Sequence, residues 1–162
     1  MAQQAPETKQ PGDSNPRLTR WHAQPSGGQY FAAVVGATFV VLGLIGFAVT
    51  GGQDWTGGDD PTRSVASVGV NPLLNLIHLV LGVAGLAAYL KAGTARLYGL
   101  LLLVVGGALF AYGLLVSPGS SADLLHTSDP GTVLHAATAV VGLLIALLPT
   151  GANRADSGKG ER

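Results

Sequence analysis

Asn71-Pro72-Leu73-Leu74-Asn75-Leu76-Ile77-His78 is the stretch that decides the fold. Asn71 is a good helix N-cap, and Pro72 suits the first helical position, where no amide hydrogen is needed. The apolar run that follows carries no charge as far as Leu90. Asp129-Pro130 opens a second run in the same way and leads to His135, so Asp129 and Pro130 are expected to start that helix as Asn71 and Pro72 start theirs. Each histidine lies about one and a half turns inside its helix.

Two more runs of the same kind complete the set. Residues 30–50, 72–90, 97–116 and 131–149 contain no Asp, Glu, Lys or Arg. A membrane span needs about 20 predominantly apolar residues, with a range of roughly 17–25. The chain is 162 residues long, 48% hydrophobic and only 11% charged, against roughly 25% charged in soluble domains. Too little chain is left to wrap four such helices in a polar coat. An all-α integral membrane four-helix bundle is therefore expected, since lipid offers no partner to an open strand edge. Tyr30 to Thr50 starts too late and runs too long for a cleaved signal peptide, and reads as a retained first span.

Lys and Arg placement sets the expected orientation. Lys9, Arg17, Arg20, Lys91, Arg96, Arg154, Lys159 and Arg162 fall on one side of the four spans, and Arg63 alone on the other. The positive side faces the cytoplasm, which predicts a multi-pass plasma-membrane protein with both termini inside. Residues 29–150 form the membrane domain. The polar segments 1–28 and 151–162 hold too few apolar side chains to fold and are expected to be disordered cytoplasmic tails. The connection 91–96 is short, which predicts a tight antiparallel pairing of the second and third helices. Residues 51–71 read as an irregular outer loop.

Glycine spacing predicts how the helices meet. Gly36 and Gly43 are seven apart on the first helix, with Gly46 near the same stripe; Gly99, Gly106 and Gly113 repeat that spacing on the third. Small residues on one face let lipid-embedded backbones approach closely. A faint duplication runs through the chain as well. Each histidine is followed seven residues later by glycine, at Gly85 and Gly142, which suggests two parallel helical hairpins.

At 1.5 Å per residue both histidines lie about 7–9 Å below the start of their helices. Asn75, His78, Gly82 and Gly85 share one helical face, and Thr132, His135, Thr138 and Gly142 share another. Tyr112 on the third helix arrives near the same level. These groups should face the bundle interior, because polar side chains in lipid are costly. One reading makes Asn75, His78, Tyr112, His135 and Thr138 an interhelical hydrogen-bond cluster. A second makes His78 and His135 neutral imidazole ligands of haem or a divalent metal, with His126 as an additional metal ligand and glycines 82, 85 and 142 leaving room for a flat cofactor. A third, conduction of protons or solutes, lacks a carboxylate or basic residue to continue the path inward.

Other chemistries find no support. Cysteine is absent, which excludes disulfides and thiol catalysis. Net charge is zero, which gives no argument for a nucleic-acid partner. Ser117, Ser120 and Ser121 near His126 lack the strand-turn-helix setting of an activated serine. An enzyme is not expected, nor is a bound cofactor, haem or a metal remaining the alternative.

The segment Gly69-Val70-Asn71-Pro72 through Asn75, His78, Leu79, Gly82 and Gly85, then Ala95-Arg96-Leu97-Tyr98-Gly99, resembles a family of small actinobacterial membrane proteins, domain of unknown function 4383. The likeness covers about residues 30–149, and the family shares four spans, an NPxxNxxHLxxGxxGL-like motif and a second histidine opening the last span. The last span of this chain departs from it, with Asp129-Pro130-Gly131 and no Asn before His135. The resemblance implies fold and location but no activity. The expected role is a small accessory or scaffolding protein, packing within or against a membrane assembly, with the bilayer and a membrane-protein partner or a second copy as partners.

Overall fold

In a computed structural model, residues 25–57, 63–91 and 93–148 are described. The two tails expected at 1–28 and 151–162 lie outside them, apart from residues 25–28. Four helices carry the fold: α1 (Gly27–Thr50), α2 (Pro72–Leu90), α3 (Ala95–Leu115) and α4 (Asp129–Leu147). All four are long and apolar enough to cross a membrane.

Helix α1 starts three residues earlier than its apolar run. Ser26 and Gln29 form a capping box, the Gln29 amide donating to Ser26 Oγ at 3.3 Å and the Ser26 amide to Gln29 Oε1 at 2.9 Å. Two orphan amides are satisfied reciprocally, which extends the helix back through Gly27 and Gly28. Asn71 caps α2 as expected, accepting from the Leu74 amide at 2.9 Å. On α4 the cap is Ser128, not Asp129. The Ser128 hydroxyl accepts from the Gly131 amide at 3.2 Å, and Asp129 and Pro130 fall inside the helix. Asp129 keeps a helix-stabilising place, because a carboxylate in the first turn meets the positive end of the helix dipole.

The helices pack as two hairpins, α1 with α2 and α3 with α4. Glycine makes both close. A Cβ on Gly36 would stand 2.7 Å from Gly82 O, and one on Gly99 would stand 2.6 Å from Gly142 O and Ala146 N. Gly43 lies against Asn75 and Leu79, Gly106 against Ala139 and His135, and Gly113 against Thr132. The glycine faces of α1 and α3 are thus used inside the chain, on α2 and α4 respectively. Helices α2 and α3, despite their short connection, touch sparsely; the tight pairing expected from loop length does not form. The glycine faces lock each helix to its other neighbour, and a groove parts α2 from α3.

The described parts of the α1–α2 and α3–α4 connections are held by their own hydrogen bonds. Residues 51–71 include a two-stranded antiparallel hairpin, β1 (Ser64–Val65) and β2 (Val68–Gly69), where an irregular loop was expected. Its turn residues Ala66 and Ser67 have φ of 50° and 67°, the left-handed conformation that two-residue hairpins require.

Candidate functional site

His78 and His135 come together where the two hairpins meet. Their ring centroids are 6.4 Å apart at 41°, and the side chains are 1% and 8% exposed. The register that achieves this is visible once the caps are known. His78 lies seven residues after its cap Asn71, and His135 seven after its cap Ser128. Gly85 and Gly142 follow at seven more, each seated on the glycine of its own hairpin partner, Gly36 or Gly99. The prolines are offset by one because they occupy different places in the first turn. The duplication is therefore more regular in space than the prolines suggest.

Phe39 completes the setting, its ring stacked on His78 at 5.5 Å and 20°. It belongs to the buried face Gly36, Phe39, Gly43 and Gly46 of α1. That helical spacing was available in the sequence, although the glycines drew attention away from the phenylalanine between them.

Of the side chains expected to join the histidines, three are engaged elsewhere. Asn75 is fully buried, but its Nδ2 donates to Thr50 Oγ1 at 3.0 Å, tying α2 to the end of α1. Thr138 donates to Leu134 O of its own helix at 2.9 Å. Tyr112 serves the α3–α4 connection, where its hydroxyl donates to Ala122 O at 2.6 Å and accepts from the Leu124 amide at 2.7 Å. The interhelical hydrogen-bond cluster is thus not formed by these groups. Both ring nitrogens of His78 and Nε2 of His135 are buried without a hydrogen-bond partner in the protein.

Above the pair, the α1–α2 and α3–α4 connections form a cap. Asn71 Nδ2 donates to Leu124 O at 2.7 Å and to Gly57 O at 3.3 Å. The Gly69 amide donates to Ser128 Oγ at 3.0 Å. Asp123, 1% exposed, accepts from the amides of Gly119 and Thr127. Asn71 and Ser128 therefore each do two jobs, starting a helix and fastening one connection to the other. Beneath this cap a cavity of about 10 Å³ is lined by residues including His126, Thr127, Tyr112 and His135. That is close to the minimum for one water molecule. His126 reaches this cavity, yet among the described residues no three His, Asp or Glu side chains converge to hold a metal. His126 is not brought into a three-ligand site with the pair.

Gly82, Gly85 and Gly142 offer no flat recess for a cofactor. Opposing helices occupy the space above each, with Val40 and Gly36 over Gly82, Ala32 and Gly36 over Gly85, and Leu103 and Gly99 over Gly142.

Fold and site together define a small multi-pass membrane protein of two glycine-locked hairpins with a buried histidine pair between them. The family described as domain of unknown function (DUF4383) matches residues 29–148, and the chain belongs to that family. No curated protein and no solved structure matches it.

Proposed function

We propose that the protein is a non-enzymatic accessory protein of the plasma membrane, both termini cytoplasmic, whose histidine pair binds a single low-charge transition-metal ion. The observation that carries this reading is the set of three buried ring nitrogens without a protein partner. Leaving a buried polar group unpaired costs about 1–3 kcal/mol, and a coordinated ion removes that cost for the nitrogens it engages. Imidazole suits copper, zinc, iron and nickel alike. An ion about 2.0–2.1 Å from each of two opposed nitrogens places the ring centroids roughly 6–6.5 Å apart, near the observed 6.4 Å.

Charge favours the cuprous ion. Among the described residues no carboxylate joins the pair, and burying even one uncompensated charge is expensive. The cost rises with the square of the charge, which argues against a divalent ion, and two-coordinate binding by neutral donors is ordinary for copper(I). A haem needs a flat space that opposing helices fill at the three glycines, so a single ion is the better fit. Native mass spectra of the full chain in lipid nanodiscs, titrated with copper(I) under reducing conditions and separately with zinc, test the reading. One copper per chain is expected, lost in His78→Ala and in His135→Ala. Equal uptake by wild type and both variants would refute it.

A second reading, assembly with another membrane protein or a second copy, is supported by a different residue. Gly107 has no atom within 4 Å of the place its Cβ would take, and Ala111, one turn on, is exposed. This small-residue pair faces outward, where close helix approach is available to a partner. Gly107→Leu should dissociate such an assembly on native gels without unfolding the chain. Gly106→Leu does not test the same idea, because Gly106 packs internally against α4.

A further inference from the structure

The groove between α2 and α3, at the end of the bundle opposite the outer cap, has features that packing alone does not use. Its volume is about 370 Å³, within the roughly 300–1,000 Å³ typical of small-molecule sites. Ala84, Ala87 and Ala88 of α2 form one wall, Leu97 and Leu101 of α3 the other, and Lys91 and Thr94 stand at the mouth. Three observations concern polar groups there. Lys91 lines the groove and is exposed, and Arg96, next in sequence to the lining residue Leu97, is exposed as well. The N-terminus of α3 has no side-chain cap and no acidic residue in its first turn, because the Thr94 hydroxyl donates instead to Ala88 O at 3.1 Å and Lys91 O at 2.7 Å. Tyr98 lines the groove, is 3% exposed, and its hydroxyl is buried without a hydrogen-bond partner.

The geometry points to a binding site for one anionic phospholipid of the leaflet that the α2–α3 connection faces. The acyl chain lies along the alanine wall, where the missing side-chain volume leaves room. The phosphate meets Lys91, Arg96 and the first-turn amides of α3, a helix N-terminus being suited to an anion. The Tyr98 ring backs the groove about one turn deeper, its tip packed against Gly85. Two lysine or arginine charges at a membrane surface each favour anionic lipid by about fivefold. The site is independent of the histidine pair, which lies in the other half of the bundle.

The test is retention of lipid by the purified full-length protein in native mass spectrometry, comparing phosphatidylglycerol with phosphatidylcholine of the same chains. One phosphatidylglycerol is expected to stay bound at collision energies that strip phosphatidylcholine. Lys91→Gln with Arg96→Gln should reduce that preference by at least about tenfold while leaving the chain folded, since both side chains are exposed. Ala87→Leu, also at an exposed position, should fill the groove and lower retention of both lipids. The proposal is overturned by equal retention of the two lipids, by a preference that survives the double variant, or by retention indifferent to Ala87→Leu. Displacement of phosphatidylglycerol by inorganic phosphate overturns it too, in favour of a soluble-anion site.

Discussion

Replacing Gly99 with alanine tests the packing argument in its simplest form, because Gly107 on the same helix supplies an internal control. At position 99 the new Cβ would stand 2.6 Å from Ala146 N and from Gly142 O, both backbone atoms, where ordinary contact begins at 3.4 Å. The two helices must part by most of an ångström. A radial gap of about 0.5–1 Å forfeits roughly a quarter to a half of each contact's dispersion energy, and overpacking of this kind typically costs about 1–3 kcal/mol. Alanine also recovers about 1 kcal/mol of helix propensity over glycine. At position 107 nothing lies within 4 Å, so only the propensity gain applies. Comparing the two variants cancels that common term and leaves the steric one.

Gly99→Ala is therefore expected to be about 1–3 kcal/mol less stable than Gly107→Ala. The measurement is unfolding in mixed micelles by sodium dodecyl sulfate titration, followed by far-ultraviolet circular dichroism. Gly36→Ala should behave like Gly99→Ala, since its Cβ meets Gly82 O at 2.7 Å and Leu86 N at 2.8 Å. A difference between the 99 and 107 variants below about 0.5 kcal/mol, the scale of an ordinary surface substitution, would refute the claim that glycine contact locks the hairpins.

Tyr112→Phe removes two of the hydrogen bonds that hold residues 122–124, and amide exchange at Leu124 should speed up by the equivalent of about 1–3 kcal/mol. Asn71→Ala loses the α2 cap and its bonds to Leu124 O and Gly57 O; a loss of about 2 kcal/mol or more in the same unfolding titration is expected. Ser26→Ala should fray only the first turn of α1, at about 1 kcal/mol, with faster exchange confined to residues 27–30. Because the chain contains no cysteine, single cysteines report sidedness cleanly. A cysteine at Lys91 should react with an impermeant maleimide only from the cytoplasmic face, and one at Ser117 only from outside; the reverse pattern would overturn the orientation.

Helix existence and extent were legible because lipid imposes a simple requirement, an uncharged run of spanning length. The glycine faces were legible for a similar reason, since spacing of seven defines one side of a helix whatever lies opposite. What lay opposite was not legible. Loop length favoured α2 against α3, but the closest backbone approaches form where glycine meets glycine. Gly82 and Gly85 of α2 and Gly142 of α4 meet Gly36 and Gly99 in that way. The α4 cap was misplaced by one residue because Asp129 before proline is a good cap by type, while Ser128 is equally good and sits in register with Asn71. The site was half legible. Spacing found His78 and His135 and their common depth, but depth alone does not specify contact. Asn75, Thr138 and Tyr112 each had a nearer backbone or hydroxyl partner that no one-dimensional pattern reveals.

The two proposed ligand sites follow from where the packing is tight. Within each hairpin, opposing backbones meet at glycine, and no guest fits without forcing helices apart. Along the seam between the hairpins the helices touch sparsely, and ring nitrogens of both histidines and the Tyr98 hydroxyl are buried there without a protein partner. The buried histidine nitrogens lie on that seam in the capped half, and the Tyr98 groove lies on it in the other. The cap makes the two halves unequal. Bonds from Asn71, Tyr112 and Asp123 close one end of the bundle over the histidines, whereas the α2–α3 groove is open along its side. A small ion that needs shielding from water suits the first setting, and a lipid that must slide in from the bilayer suits the second.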